Sequence, residues 1–163
     1  MNKIWKIVKA NEKHIPFVAA NMREEDKREL AAVSGRRPFD ALANSLGFSL
    51  LAWTCLVENR PAFMWGVCPC HKPDFHGIPW LLATPEITRI SFEFAKQSRR
   101  YVQHMLAPFP YLENFVHAKN KVSMHWLEWC GFELDRRPIK MGMGNENFYR
   151  FRMNKTEALQ PKQ

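Results

Sequence analysis

Residues 120–132 read NKVSMHWLEWCGF. Asparagine is a favoured helix N-cap because its side-chain oxygen accepts a first-turn backbone N–H, and glycine closes helices because it enters the left-handed conformation without a Cβ clash. Asn120 and Gly131 therefore predict a helix between them, with Val122, Trp126 and Trp129 on its buried side. The preceding YLENFVHA (residues 111–118) alternates as a strand does. The following FELDR and NFYRFRM, joined by the glycine-containing MGMGNEN, predict a closing hairpin.

Upstream, IPWLLAT (residues 78–84) is apolar on both faces, as a central strand covered on both sides must be. Thr84 and Pro85 predict the cap and first residue of a helix, whose buried stripe is Phe92, Ala95, Ser98, Val102, Met105 and Leu106 and which APFP ends. SLLAWTCLV and AFMWGVC predict two strands joined by a turn at Asn59-Arg60, followed by an irregular PCHKPDFHG. Ile4 to Val8 alternates as an opening strand. Asn11 caps a helix carrying Ile15, Val18, Ala19 and Met22, REEDKREL forms a second that ends at Gly35, and a third starts at Pro38 with Leu42 and Leu46. The order is β, helices, ββ, β, α, β, α, ββ. It predicts one α/β domain over residues 1–153, a central mixed sheet flanked by helices with a C-terminal β-hairpin, and a disordered tail, NKTEALQPKQ, over 154–163.

At 163 residues, 46% hydrophobic and 13% aromatic, the chain supplies one core and not two large domains. No apolar run reaches bilayer length, and lysines interrupt MNKIWKIVKANEKH where a signal peptide needs an unbroken apolar core, so a soluble intracellular protein is expected. Cys55, Cys68, Cys70 and Cys130 are scattered in apolar segments and are expected to be reduced. Cys68, Cys70, His71 and His76 lie close together, but Cys-Pro-Cys holds its thiols in a stiff extended geometry unlike the usual zinc pairing, and no metal is expected. A net charge of +8 suits an acidic partner. The arginines come as dispersed pairs, at Arg36-Arg37, Arg99-Arg100, Arg136-Arg137 and Arg150 with Arg152, which disfavours a dedicated nucleic-acid face.

The element order, with Asn120, Gly131 and Phe132, resembles the GNAT superfamily of acetyl-CoA-dependent N-acetyltransferases. MREEDKREL, GIPWLLAT, SRRYVQHML and the 120–132 stretch are similar to its tailed-phage branch, the podophage internal virion protein A family. The resemblance implies a coenzyme A site along the end of the central strand and the helix after it, at Leu82, Ala83, Thr84, Arg89, Ser91 and Asn120. It implies catalytic positions at Asn120 and Ser123, and an acceptor side at Trp80 and the acidic Glu24 and Glu25. It also implies phage structural or host proteins as partners, in the host cytoplasm or in association with the virion.

Two departures weaken that implied chemistry. The glycine positions of the family's phosphate-binding loop fall on Arg89, Ser91 and Glu93, where side chains and a negative charge replace the close backbone approach that a diphosphate needs. The position of the family's proton-donating tyrosine is Leu127, which has no proton to give, and general acid help is worth about a hundred- to ten-thousand-fold in rate. The expectation is a phage protein with this fold and with coenzyme A chemistry weak or absent; the competing expectation is an active N-acetyltransferase. An open gap between the central strand and YLENFVHA, with free backbone amides near Leu82 to Thr84, is what the second requires.

Overall fold

The computed structural model describes residues 3–155. Strand β1 (Trp5–Lys9) is followed by a short 3-10 turn capped by Asn11 and by helices α1 (Ile15–Ala20), α2 (Glu24–Val33) and α3 (Pro38–Phe48). Strands β2 (Leu51–Val57), β3 (Arg60–Cys70) and β4 (His76–Ala83) follow as a meander, then helix α4 (Ile87–Leu106), strand β5 (Tyr111–His117) and helix α5 (Lys121–Cys130). Strands β6 (Glu133–Leu134), β7 (Ile139–Met141) and β8 (Glu146–Asn154) complete a mixed sheet of order β1-β2-β3-β4-β5-β8-β6, with β7 also on β8.

Several boundaries differ from expectation for local physical reasons. The β2–β3 turn is Glu58-Asn59, both at positive φ (49° and 64°), because Arg60 already pairs with Val57 and a two-residue hairpin needs left-handed backbone at both positions. Both ends of PCHKPDFHG are strand, since Cys70 pairs with His76, leaving 71–75 irregular. Asn154 pairs with Tyr111 on β5, so the predicted tail begins inside the sheet; its remainder, 156–163, lies outside the described residues. Helix α4 starts at Ile87, because Thr84 first caps a tight turn through Glu86.

The two sheet faces carry separate cores. Ile15, Val18, Leu42, Met64 and Leu82 pack under α1 and α3, while Phe63, Trp65, Phe94, Val102, Leu106 and Leu127 pack under α4 and α5. The buried stripe of α4 runs through Ile90 and Phe94; Phe92 is on the outer side, 70% exposed, with Lys96 over its ring. On α5 the buried residues are Leu127 and Cys130, Trp126 is half-buried against Phe94, and Val122 and Trp129 are exposed. Trp129 tolerates the surface because its Nε1 donates to the Ala95 carbonyl and Arg99 stacks on its ring at 4.1 Å. Among the described residues no helix is long and apolar enough to cross a membrane.

Strands β4 and β5 run parallel and pair only at Gly77 and Leu112; beyond that point they separate towards their C-terminal ends. Gly77 permits the single contact, because a Cβ there would lie 2.7 Å from Leu112 and Val67 and 2.8 Å from Phe109. Gly77→Ala is expected to cost about 1–3 kcal/mol, the usual price of overpacking a filled site, seen as a lower urea midpoint with unchanged slope.

Candidate functional site

Separating two strands strands their backbone groups. Along β4, Thr84 and the residues in step with it face β3, so Gly77, Pro79, Leu81 and Ala83 face β5. Pro79 has no N–H, and its carbonyl accepts from the Asn114 side-chain amide at 2.7 Å, while the Asn114 oxygen accepts the Phe115 N–H at 2.8 Å. Asn114 thus stands in the throat of the gap as a spacer. At the mouth, Ala83 donates its N–H to the Asp26 carboxylate at 2.8 Å, and its carbonyl accepts the Arg23 N–H at 2.8 Å. On the opposite wall, the His117 N–H and the Asn120 amide donate to Glu29 at 2.9 and 3.1 Å. Asp26 and Glu29, three residues apart on one face of α2, therefore satisfy one strand each.

Helix α2 is held in this bridging position at its other end as well. The carbonyls of Val33 and Ala32 accept the N–H groups of Met143 and Gly144 from the β7–β8 turn. Gly142 is required there, since its φ is 75° and a Cβ would meet the Ala32 carbonyl at 2.3 Å. Burial pushes the Asp26 carboxyl above the usual range despite the adjacent Arg23 guanidinium at 2.8 Å, and burial pushes Glu29 up despite the donors from His117 and Asn120.

The gap opens into a cavity of about 410 Å³ that passes through the sheet. Its α2 and α3 side carries the polar groups, Arg23, Asp26, Glu29, Ser45 and Trp80, beside the apolar Leu30 and Val33. Its α4 and α5 side is apolar, walled by Trp65, Phe94, Trp126, Leu127 and Phe132. Between the halves lies Leu81, whose backbone groups face the gap where no strand pairs them.

Of the residues singled out from the sequence, Trp80, Leu82, Ser91, Asn120 and Ser123 line this cavity. Asn120 caps α5, accepting the Ser123 N–H at 3.2 Å. Ala83 is occupied by Asp26, and Thr84 is buried with its hydroxyl donating to the Ala62 carbonyl. Glu24 and Glu25 point to solvent, Glu24 against Lys27, and neither lines the cavity; Asp26 and Glu29 from the same helix do. The signal for those two was a pair of acids inside the apolar stripe of Met22, Leu30 and Val33. Leu127 points into the cavity and is 7% exposed.

The acetyl-CoA implied by the resemblance needs a cradle for its diphosphate at the start of α4. The first amides there are used: Glu86 N–H donates to the Thr84 hydroxyl, and those of Ile87, Thr88 and Arg89 donate to the carbonyls of Thr84, Pro85 and Glu86. Arg89 is engaged too, forked between Glu58 at 3.2 Å and Glu86 at 2.8 Å, which raises its own pKa further. Bulk, spent donors and two carboxylates do not fit a diphosphate. Among the described residues, no group of three or more His, Cys, Asp or Glu side chains is placed to hold a metal.

Solved structures share this architecture. A single-site variant of spermidine N-acetyltransferase from Vibrio cholerae superposes with a TM-score of 0.68 at 11% identity, covering 98% of each chain. The same enzyme in complex with CoA and spermine gives 0.67 at 11% identity, covering 98% of this chain and 100% of that one. An aminoglycoside N(6')-acetyltransferase from Legionella pneumophila gives 0.66 at 11% identity, covering 97% and 96%. No protein-family model and no curated protein matches the sequence. The fold is that of the GNAT acetyltransferases.

The raised carboxyls predict a pH dependence. A carboxyl whose folded-state pKa is raised holds its proton more tightly folded than unfolded, so its stabilising contribution is full below the ordinary carboxylate range and is lost as pH rises through the raised value. Glu29→Gln keeps an oxygen for His117 and Asn120 and removes one titrating group. Chemical denaturation at a series of pH values should show stability falling less steeply in this variant than in the unsubstituted protein, across the window starting at the ordinary carboxylate pKa.

Proposed function

We propose that the chain is a GNAT-fold protein of a tailed phage in which coenzyme A chemistry is weak or absent, and which acts in the virion or its assembly through contacts with phage structural or host proteins. The observation that carries the catalytic half of this reading is the start of α4, where the amides are closed into turns and Arg89 is sequestered by Glu58 and Glu86. Leu127, in the position of the family's acid, supports it from the other side of the cleft. The phage half is supported by the sequence resemblance in MREEDKREL, GIPWLLAT, SRRYVQHML and residues 120–132. Host cytoplasm or the virion is the corresponding location. Nucleic acid remains the less favoured partner, because Arg150 on β8 is already set against Glu113 and Asp135.

One observation favours a second reading, an active N-acyltransferase of a phage or host amine. The gap between β4 and β5 is open, Leu81 keeps an unpaired backbone N–H there, and the polar half of the cavity presents Asp26, Glu29 and Trp80, chemistry that suits an amine. Asn120 and Ser123 are the catalytic positions in that case. Calorimetric titration with acetyl-CoA separates the two. The first reading predicts dissociation no tighter than about the millimolar range, about 4 kcal/mol, and a Leu127→Tyr variant that folds and stays inactive, since an acid cannot help a substrate that never binds. A micromolar constant, with acetyl transfer to spermidine abolished by Asn120→Ala or Ser123→Ala, would establish the second.

A further inference from the structure

Helices α4 and α5 leave an apolar stripe on the outside of the molecule. Phe92 is 70% exposed, Val122 74% and Trp129 49%, beside the half-buried Trp126. Single exposed apolar residues are ordinary, but large ones gathered on one face mark a surface built to be covered. The two helices are joined along this face: the Trp129 indole donates to the Ala95 carbonyl at 3.0 Å, and Arg99 Nε donates to the Trp129 carbonyl at 2.9 Å. Nearer their N-termini, Ser91 and Val122 line the same cavity. Phe92, Lys96 and Arg99 on α4 and Val122, Trp126 and Trp129 on α5, each set at helical spacing, therefore form the two banks of one shallow groove.

The charges on this groove have one sign. Lys96 lies over the Phe92 ring at 4.4 Å and Arg99 over the Trp129 ring at 4.1 Å, and among the described residues neither has a carboxylate partner. The acids of the same helices are turned aside. Glu93 follows Phe92, and Glu128 precedes Trp129, by about 100° of helical rotation, each away from the other helix. We propose that this groove docks an acidic amphipathic helix of a partner protein, its apolar residues on Phe92, Val122, Trp126 and Trp129 and its carboxylates on Lys96 and Arg99. The proposal rests on the reading of a protein that works through contacts with other proteins, and it names the surface used. A second copy of this chain, packed groove to groove, would bring cations against cations. A nucleic acid needs a cationic track for its phosphates and open rings for its bases, whereas here the cations lie on the rings.

The test titrates the full-length ¹⁵N-labelled protein with a synthetic amphipathic peptide of about four helical turns, leucine on one face and glutamate on the other, and with its counterpart carrying lysine for glutamate. The glutamate peptide is expected to bind saturably, more weakly as salt rises, and to shift the Trp129 indole and the backbone amides around Phe92 and Val122. The lysine peptide is expected not to bind. Phe92→Ser combined with Val122→Ser is expected to weaken the glutamate peptide about tenfold or more with the melting temperature unchanged, because both side chains are exposed. Lys96→Glu, which leaves the apolar bank intact, is expected to weaken it as well. Absence of saturable binding, or shifts that map elsewhere on the molecule, would overturn the proposal and leave the reading of a contact protein standing. Tighter binding of oligothymidylate at the same residues would put nucleic acid in place of the protein partner. Occupation of those residues by acetyl-CoA at micromolar concentration, displacing the peptide, would overturn the docking surface and that reading together.

Discussion

Two carboxylates one helical turn apart hold the sheet open. Asp26 accepts the Ala83 N–H of β4 and Glu29 accepts the His117 N–H of β5, so α2 spans the mouth of the gap while Asn114 props its throat. Without these acceptors the diverging strands would carry buried, unsatisfied backbone donors, each worth about 1–3 kcal/mol. Strands in a sheet otherwise relieve that cost by pairing, which would close the cleft. The cavity, the polar character of one half and the placement of Asn120 all follow from this one bridge. Its cost is visible in the raised pKa of both acids, which are buried away from the water that would keep them ionised.

The cleft and the start of α4 are built differently. The cleft has strands that part beyond Gly77, with the Leu81 amide facing the gap, and a helix α5 capped by Asn120 beside it. At the start of α4 the first amides donate to Thr84, Pro85 and Glu86, and Arg89 is held between Glu58 and Glu86.

Much of this was legible in the sequence where the determinants are local. Asn120 and Gly131 bound α5 as cap and left-handed terminator, and the unbroken apolar run through Trp80 and Leu82 marked the central strand. Side chains at Arg89 and Ser91, where the resemblance implies glycine, were legible there as well. The bridging acids were not legible in the same way, because Asp26 meets a partner 57 residues away and Glu29 one 88 residues away. Their neighbours Glu24 and Glu25 have the same chemistry and face solvent; only the rotation of α2 against the gap distinguishes them. The face of α5 differs from expectation for a related reason. Trp126 packs against the core as expected, but the fully buried residues are Leu127 and Cys130, and Trp129 is stabilised at the surface by Arg99 and the Ala95 carbonyl.

Native-state hydrogen exchange, resolved by residue, tests the bridge most directly. If carboxylates hold the strands apart, the Ala83 and His117 amides are protected in the unsubstituted protein, while the Leu81 amide between them in the gap exchanges much faster than its neighbours Leu82 and Ala83. Protection should then fall at Ala83 alone in Asp26→Ala and at His117 alone in Glu29→Ala. Slow exchange at Leu81 equal to that of Leu82, or protection of Ala83 and His117 undiminished in both variants, would mean that β4 and β5 pair beyond Gly77 in solution and that α2 does not hold the cleft open.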